Sequence, residues 1–237
     1  KNPDLAWRVN MDGLLNVLDA CVELHVERVF WPSSIAVFGP TSPKVNTPQQ
    51  CYTDPNTMYG VTKLAGEHLG AYYHKRHGLD IRSIRYPGLI SYTAPPGGGT
   101  TDYAVDVFYY AKTGRPYTCF LGPESGLPML YMPDAVRGTL ELMDAPAEHI
   151  KVRTSYNLNG ISFTPAELFA EIGRQKPGFT FDYQPDFRQA IADSWPSSLD
   201  DAPARQEWGW KPHYGLQEMV AVMLANVKPE LVPAAQH

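Results

Sequence analysis

The chain has 237 residues, 43% hydrophobic and 19% charged, with a formal net charge of −5. That length suits one large domain or two unequal ones with a sizeable core, and the acidic balance argues against nucleic acid or an anionic membrane as the main partner. Cys21, Cys51 and Cys119 have no paired spacing, which fits reduced core thiols better than a disulfide framework, and no apolar run approaches the roughly 20 residues of a membrane span.

Asn2 and Pro3 read as an N-cap followed by a first-turn proline. Behind them Leu14, Leu15, Leu18, Cys21 and Val22 repeat at helical spacing to about Leu24, with Asn10 inside the helix as a solvated polar position. Arg28-Val29-Phe30-Trp31 predicts a short buried strand halted by Pro32. Ser33 and Ser34 follow at its carboxyl end, where open α/β sheets bind ligands. A polar, proline-containing loop over residues 40–54 leads into a helix opened by Asp54-Pro55 and stopped by Gly78, just after His77. His74 and His77 are three apart, close to metal-ligand spacing, but no acidic or cysteine partner is in view, so solvated histidines and no metal site are expected.

Tyr59 and Lys63 stand four apart on that second helix, which puts their polar ends on one face. A free tyrosine titrates near ~10, and an ammonium beside the phenolate favours its charged form. Reaching about 7 takes about 4 kcal/mol of preferential stabilisation. With a serine hydroxyl polarising the same substrate oxygen, the pair suits removal of a proton from an alcohol, or the reverse at a carbonyl. The spacing alone equally suits a surface lysine beside a packed tyrosine.

Residues 80–86 alternate as a strand that ends at Pro87-Gly88. Residues 94–102, with Gly97-Gly98-Gly99, form a loop into a helix ending near Gly114. Three glycines before a helix N-terminus can cradle a phosphate or a carboxylate. The run carries no basic residue, which weakens the phosphate version; a flexible turn capped by Thr100 or Thr101 is the plainer reading. Further strands are predicted over 127–132, 154–158 and 179–183. Helices are predicted over 134–143, from the capping box Thr164-Pro165-Ala166-Glu167 to about Gln175, near 187–192, and over 201–207 and 216–226. The alternation predicts an α/β fold with a mainly parallel sheet.

Ser33-Ser34-Ile35-Ala36-Val37-Phe38-Gly39, the Tyr59–Lys63 motif and Arg85-Tyr86-Pro87-Gly88 together resemble the extended short-chain dehydrogenase/reductases. The likeness is closer still to the short-chain-type L-threonine 3-dehydrogenases, through residues 31–40, 82–91, 95–104 and 185–196, which between them span nearly the whole chain. The resemblance implies a Rossmann-like, doubly wound, mainly parallel sheet. Residues 1–92 would be the remainder of a dinucleotide-binding domain, and 93–237 a smaller C-terminal α/β substrate region with some segments returning to the main sheet. It implies NAD-linked oxidation of L-threonine to 2-amino-3-oxobutyrate. Tyr59 would be the general base, Lys63 would lower its pKa and bind the nicotinamide ribose, and Ser34 would hydrogen-bond the reacting oxygen, with Ser33 the weaker candidate. Pro87 and Leu89 would contact the nicotinamide, Thr100 and Thr101 would hold substrate polar groups, and Trp195 would close over the substrate. Asn10 would be a supporting polar residue. A homodimer through the helices at 4–24 and 59–77 is implied, in a cytoplasm or a mitochondrial matrix.

The chain departs from this pattern at its start. No strand, glycine-rich turn and helix followed by an acidic residue precedes the serine-bearing strand, so at least two strand–helix units, about 60–90 residues at about 30 per unit, are expected to be missing. The strand at 28–31 would then be a bare apolar edge. Two other readings remain: a nucleotide-sugar epimerase or dehydratase, which shares the serine, tyrosine and lysine, and a truncated domain that binds or dimerises without catalysis.

Overall fold

In the computed structural model, which describes residues 2–228, helices and strands alternate along the chain. The strands among these residues are β1 (Arg28–Ser34), β2 (Asp80–Tyr86), β3 (Gly88–Ile90), β4 (Tyr117–Cys119), β5 (Leu127–Tyr131), β6 (Tyr156–Asn157), β7 (Ile161–Phe163) and β8 (Phe181–Tyr183). The α-helices are α1 (Pro3–Trp7), α2 (Gly13–Glu23), α3 (Met58–His77), α4 (Tyr103–Thr113), α5 (Met132–Asp144), α6 (Pro165–Gln175), α7 (Arg188–Ser194), α8 (Ala202–Trp208) and α9 (Leu216–Asn226). Residue 1 and residues 229–237, the outer ends of the two regions expected from sequence, lie outside the described residues.

β2 is the central strand of a three-stranded parallel sheet ordered β1-β2-β6. A second sheet is ordered β3-β5-β7, with β5 and β7 antiparallel, and β4 pairs with β8 in parallel. The pairing is therefore mainly parallel, as the alternation predicts. The largest apolar cluster gathers α4, α6 and α9 around β5, through buried side chains such as Phe108, Phe169 and Met223. Leu14 and Leu18 of α2 pack with Tyr73, Leu79 and Ile81 on another face.

Several elements depart from the sequence-based expectation. The first helix is interrupted by a π-helical turn, Arg8–Asp12, and Asn10 lies in that turn. β1 runs on through Pro32, which stands opposite Ile84, because β1 has no second neighbour among the described strands. At such an edge a missing N–H need not cost a ladder bond. For the same reason Val29, Phe30 and Trp31 are half-buried rather than buried. α3 starts at Met58, not at Asp54-Pro55, since Thr57 is its N-cap and accepts from the Gly60 amide at 3.0 Å. It stops at Gly78, whose left-handed φ of 71° ends the helix. No threonine caps α4, and β3, β4 and β7 are three-residue strands too short for a periodic signal.

Gly60 governs how α3 meets the end of β1. A Cβ at this position would collide with the Ala36 carbonyl oxygen and the Pro55 side chain. Without one, the first turn of α3 seats directly on the 3-10 turn Ile35–Val37, which follows Ser34. The close approach brings Tyr59 and Ser34 to the same end of the sheet.

Candidate active site

A cavity of about 1020 Å³ opens where β1 and β2 end. Ser34 reaches it from the end of β1, Tyr59 and Lys63 from α3, and Pro87 and Leu89 from the turn after β2 and from β3. Thr100 and Thr101 line it ahead of α4, and Trp195 lines it just beyond α7. Every catalytic, cofactor and substrate residue expected from sequence therefore borders one cleft, although they come from widely separated segments.

The Ser34 hydroxyl oxygen accepts from the Ala36 amide at 3.2 Å, which leaves its own proton free to donate. Lys63 Nζ donates to the Pro32 carbonyl at 2.6 Å and sits 4.8 Å from the Trp31 ring centroid and 5.6 Å from that of Tyr59. Burial pulls the Lys63 ammonium below the ordinary lysine range. Tyr59 itself is 49% exposed and faces the open cleft. Behind it, Asn10 Nδ2 donates to Thr62 Oγ1 at 2.9 Å, and Thr62 Oγ1 donates to the Tyr59 carbonyl at 2.9 Å. The π-helical turn thus ties the first helix to the backbone of the tyrosine. π-bulges concentrate where such a side chain must be re-aimed.

Ser33 also borders the cleft, but its hydroxyl is engaged elsewhere. Successive residues of a strand face opposite sides, and Ser33 Oγ donates at 2.6 Å to the buried Glu67 Oε1. Glu67 stands one turn after Lys63 on α3. It accepts two further bonds from the buried Arg85, Nε to Oε1 at 2.8 Å and Nη2 to Oε2 at 2.7 Å. Arg85 Nη1 also donates to the Gln49 carbonyl and to Asn157 Oδ1, each at 3.1 Å. Sequence reasoning passed over this array. The available signal was two arginines, Arg82 and Arg85, inside a run read as an alternating strand. Buried guanidinium groups demand partners; Arg82 finds its own in Asp80 and in carbonyls near the end of α5, including that of Ala145 at 2.6 Å.

The glycine loop does something other than expected. Gly97 and Gly99 donate their amides to Asp102 Oδ2 at 2.7 and 2.9 Å. The carboxylate in the cradle is the chain's own, because an aspartate a few residues downstream is within easy reach of those amides. Trp195 is held from another side. Lys44 Nζ donates to the Ser194 carbonyl at 2.7 Å and to that of Gly39 at 3.2 Å. Burial lowers the Lys44 pKa, although Asp54 and Asp193 pull the other way. The backbones of 44–47 and 197–200 are stitched together by Ser197 N to Lys44 O, Thr47 N to Ser198 O and Asp200 N to Thr47 O. Arg188, which sequence reasoning did not single out, also lines the cleft. Among the described residues no group of three or more histidines, cysteines or acids is placed to hold a metal ion. His74 Nδ1 instead lies 3.0 Å from the Leu79 carbonyl oxygen.

A family model described as the NAD dependent epimerase/dehydratase family matches residues 1–158. The chain is 53% identical over 225 residues to the mitochondrial L-threonine 3-dehydrogenase of Sus scrofa, a match that covers 94% of this chain and 60% of that protein. It thus spans about three-fifths of the length of this curated relative. It is 46% identical to an uncharacterized epimerase/dehydratase of Staphylococcus haemolyticus, over 96% of this chain and 72% of that one. Among solved structures, the apo form of a GalE-like L-threonine dehydrogenase from Cupriavidus necator matches at a TM-score of 0.94 and 60% identity, over 95% of this chain and 82% of that one. The architecture is accordingly Rossmann-like α/β with mainly parallel pairing.

Proposed function

Because the chain belongs to the NAD dependent epimerase/dehydratase family, we propose that it carries the catalytic face of an NAD-dependent L-threonine 3-dehydrogenase, which oxidises L-threonine to 2-amino-3-oxobutyrate. The observation that carries this reading is the convergence of Ser34, Tyr59 and Lys63 with Thr100, Thr101 and Trp195 on one cleft at the carboxyl ends of parallel strands. Relatives named as L-threonine dehydrogenases support the choice of substrate.

Tyr59 acts as general base on the threonine hydroxyl, and the half-buried Lys63 ammonium favours its phenolate. Ser34, whose oxygen is already engaged by the Ala36 amide, donates its proton to the reacting oxygen. Lys63 spends one of its three N–H groups on the Pro32 carbonyl and keeps two for the tyrosine oxygen and a ribose hydroxyl. That spare capacity, together with the wall formed by Pro87 and Leu89, fits the nicotinamide–ribose half of NAD. When bound, NAD supplies the hydride acceptor. Thr100 and Thr101 hold polar groups of the substrate, and Trp195 covers it.

Residues 1–92 belong to the dinucleotide-binding domain in this reading, and 93–237 mainly to the substrate region; β6 is a segment that returns to the main sheet. A homodimer through the helices at 4–24 and 59–77 is supported by exposed Leu5, Trp7, Val9 and Val61. No helix among the described residues is long and apolar enough to cross a membrane. The three cysteines are free, which supports a reducing compartment, the cytoplasm or a mitochondrial matrix.

The test is NADH formation from L-threonine, with none from UDP-sugars. Tyr59→Phe should remove nearly all turnover while circular dichroism stays native. Turnover like that of the parent in this variant refutes the assignment of the base.

A further inference from the structure

An amino-acid substrate brings a carboxylate into the cleft, and two of the three glycine amides that could have met it, those of Gly97 and Gly99, are engaged by Asp102. The countercharge must come from elsewhere. Two cationic side chains line the cleft, Lys63 and Arg188. Lys63 stands beside Tyr59 and is bonded to Pro32. Arg188 belongs to the other side, at the first position of α7, the short helix that Trp195 immediately follows.

The Arg188 guanidinium is held but not used up. Its Cζ lies 3.2 Å from the Phe120 ring centroid, so one face is stacked on an aromatic plate. Asp186 grips it at one edge, with Nε donating to both carboxylate oxygens at 3.0 Å and Nη2 to Oδ2 at 2.6 Å. A guanidinium has five N–H groups. Both on Nη1 and one on Nη2 have no acceptor among the described residues. The side chain is 21% exposed, so these donors are partly stripped of water and gain from an anion that reaches them. A planar fork fixed by stacking and by a second carboxylate suits a two-oxygen acceptor better than a lysine would.

We propose that Arg188 binds the carboxylate of the amino-acid substrate and sets the preference for substrates that carry one a carbon away from the reacting carbinol. This rests on the dehydrogenase reading above. α7 then carries the anion contact at its start and the covering Trp195 at its end, so seating the carboxylate and closing the cleft involve one rigid element.

The experiment compares L-threonine with L-threoninamide, which has the same shape and no carboxylate. The parent protein should favour L-threonine in kcat/KM by about 10- to 100-fold, the range of a hydrogen bond to a charged group. Arg188→Met should collapse that ratio to within about threefold by raising the KM for L-threonine, with the KM for NAD shifted less than about twofold. Arg188→Lys, which keeps charge and bulk, should fall between, and its thermal melt guards against loss of fold. An undiminished preference in Arg188→Met overturns the proposal. If the parent does not oxidise L-threonine, the dehydrogenase reading fails on its own, and tryptophan fluorescence decides about Arg188. Saturable quenching by L-threonine but not by threoninamide, abolished in Arg188→Met, upholds the carboxylate site; equal responses to the two compounds overturn it.

Discussion

Replacing Glu67 tests the idea that a buried ion pair holds α3 against the sheet. Its side chain and that of Arg85 are 1% and 6% exposed, and Glu67 accepts three bonds, two from Arg85 and one from Ser33. Removing one partner of such a pair costs about 3–5 kcal/mol, because the other charge stays buried without compensation. Loss of the Ser33 bond adds about 1 kcal/mol. Glu67→Ala is therefore expected to cost about 4–6 kcal/mol. Glu67→Gln should cost about 3 kcal/mol, since it keeps one acceptor but turns an amide N–H towards Nη2. Set against a total of about 5–15 kcal/mol, either change is large. Urea denaturation measures it, with the midpoint falling by about 1–2 M and the slope unchanged. The double variant Glu67→Leu/Arg85→Met exchanges the pair for apolar bulk and should be more stable than either single change, with a coupling of at least about 2 kcal/mol. A cost below about 1 kcal/mol for Glu67→Ala, or simple additivity in the cycle, refutes the reasoning.

Three further outcomes are expected from the packing and the charges. Gly60→Ala should destabilise by about 1–3 kcal/mol through overpacking against the Ala36 carbonyl and lower kcat more than KM; a neutral melt would show that α3 can shift without consequence. Burial alone would raise the Asp80 pKa, but hydrogen bonds from Arg82 and Arg153 outweigh it and hold the carboxyl at about 2. A depressed carboxylate stabilises above its unfolded value of ~3.9 and loses that effect as pH falls towards about 2. About 1–2 kcal/mol should therefore vanish across this window, allowing for partial exposure, and Asp80→Asn should flatten that slope; parallel curves for the two proteins would contradict the assignment. Trp195→Ala should raise the KM for L-threonine more than the KM for NAD, and equal shifts in steady-state assays would argue against its place over the substrate.

How much of the fold is legible in the sequence depends on the range of the forces involved. Local signals transferred well. The Thr164 capping box closes through Glu167, the stop at Gly78 adopts its left-handed φ, and residues 80–86 and 216–226 form their elements at the expected bounds. Elements that depend on neighbours did not. Pro32 ends a strand only where the ladder needs its N–H, and β1 lies at an edge. β3, β4 and β7 exist because a partner strand is present, and three residues show no period of their own. The residues from sequence that line the cleft were picked out by motifs. Glu67, Arg85 and Arg188 were not, since each takes its meaning from a contact 18 or more residues away, or from a ring and a cleft assembled by distant segments.

The two walls of the cleft are held by different physics, and this separates what a substitution should change. On the Tyr59 side, α3 is fixed by a glycine contact and by the Ser33–Glu67–Arg85 array, both buried and both costly to disturb. On the Trp195 side, the indole packs against Leu199, Phe38 and their apolar neighbours, and the adjoining segments 44–47 and 197–200 are joined by backbone bonds and by one lysine that bridges two carbonyls. Net contributions of such backbone bonds are about 0.5–1.5 kcal/mol each, less than the loss of one partner from a buried ion pair. Changes behind Tyr59 should therefore appear first as lost stability and lost kcat. Changes around Lys44, Arg188 and Trp195 should leave the fold standing and appear in the KM of the substrate. In the proposed dehydrogenase that asymmetry is useful: proton-transferring groups need a rigid wall, whereas the wall that admits a substrate must be able to yield.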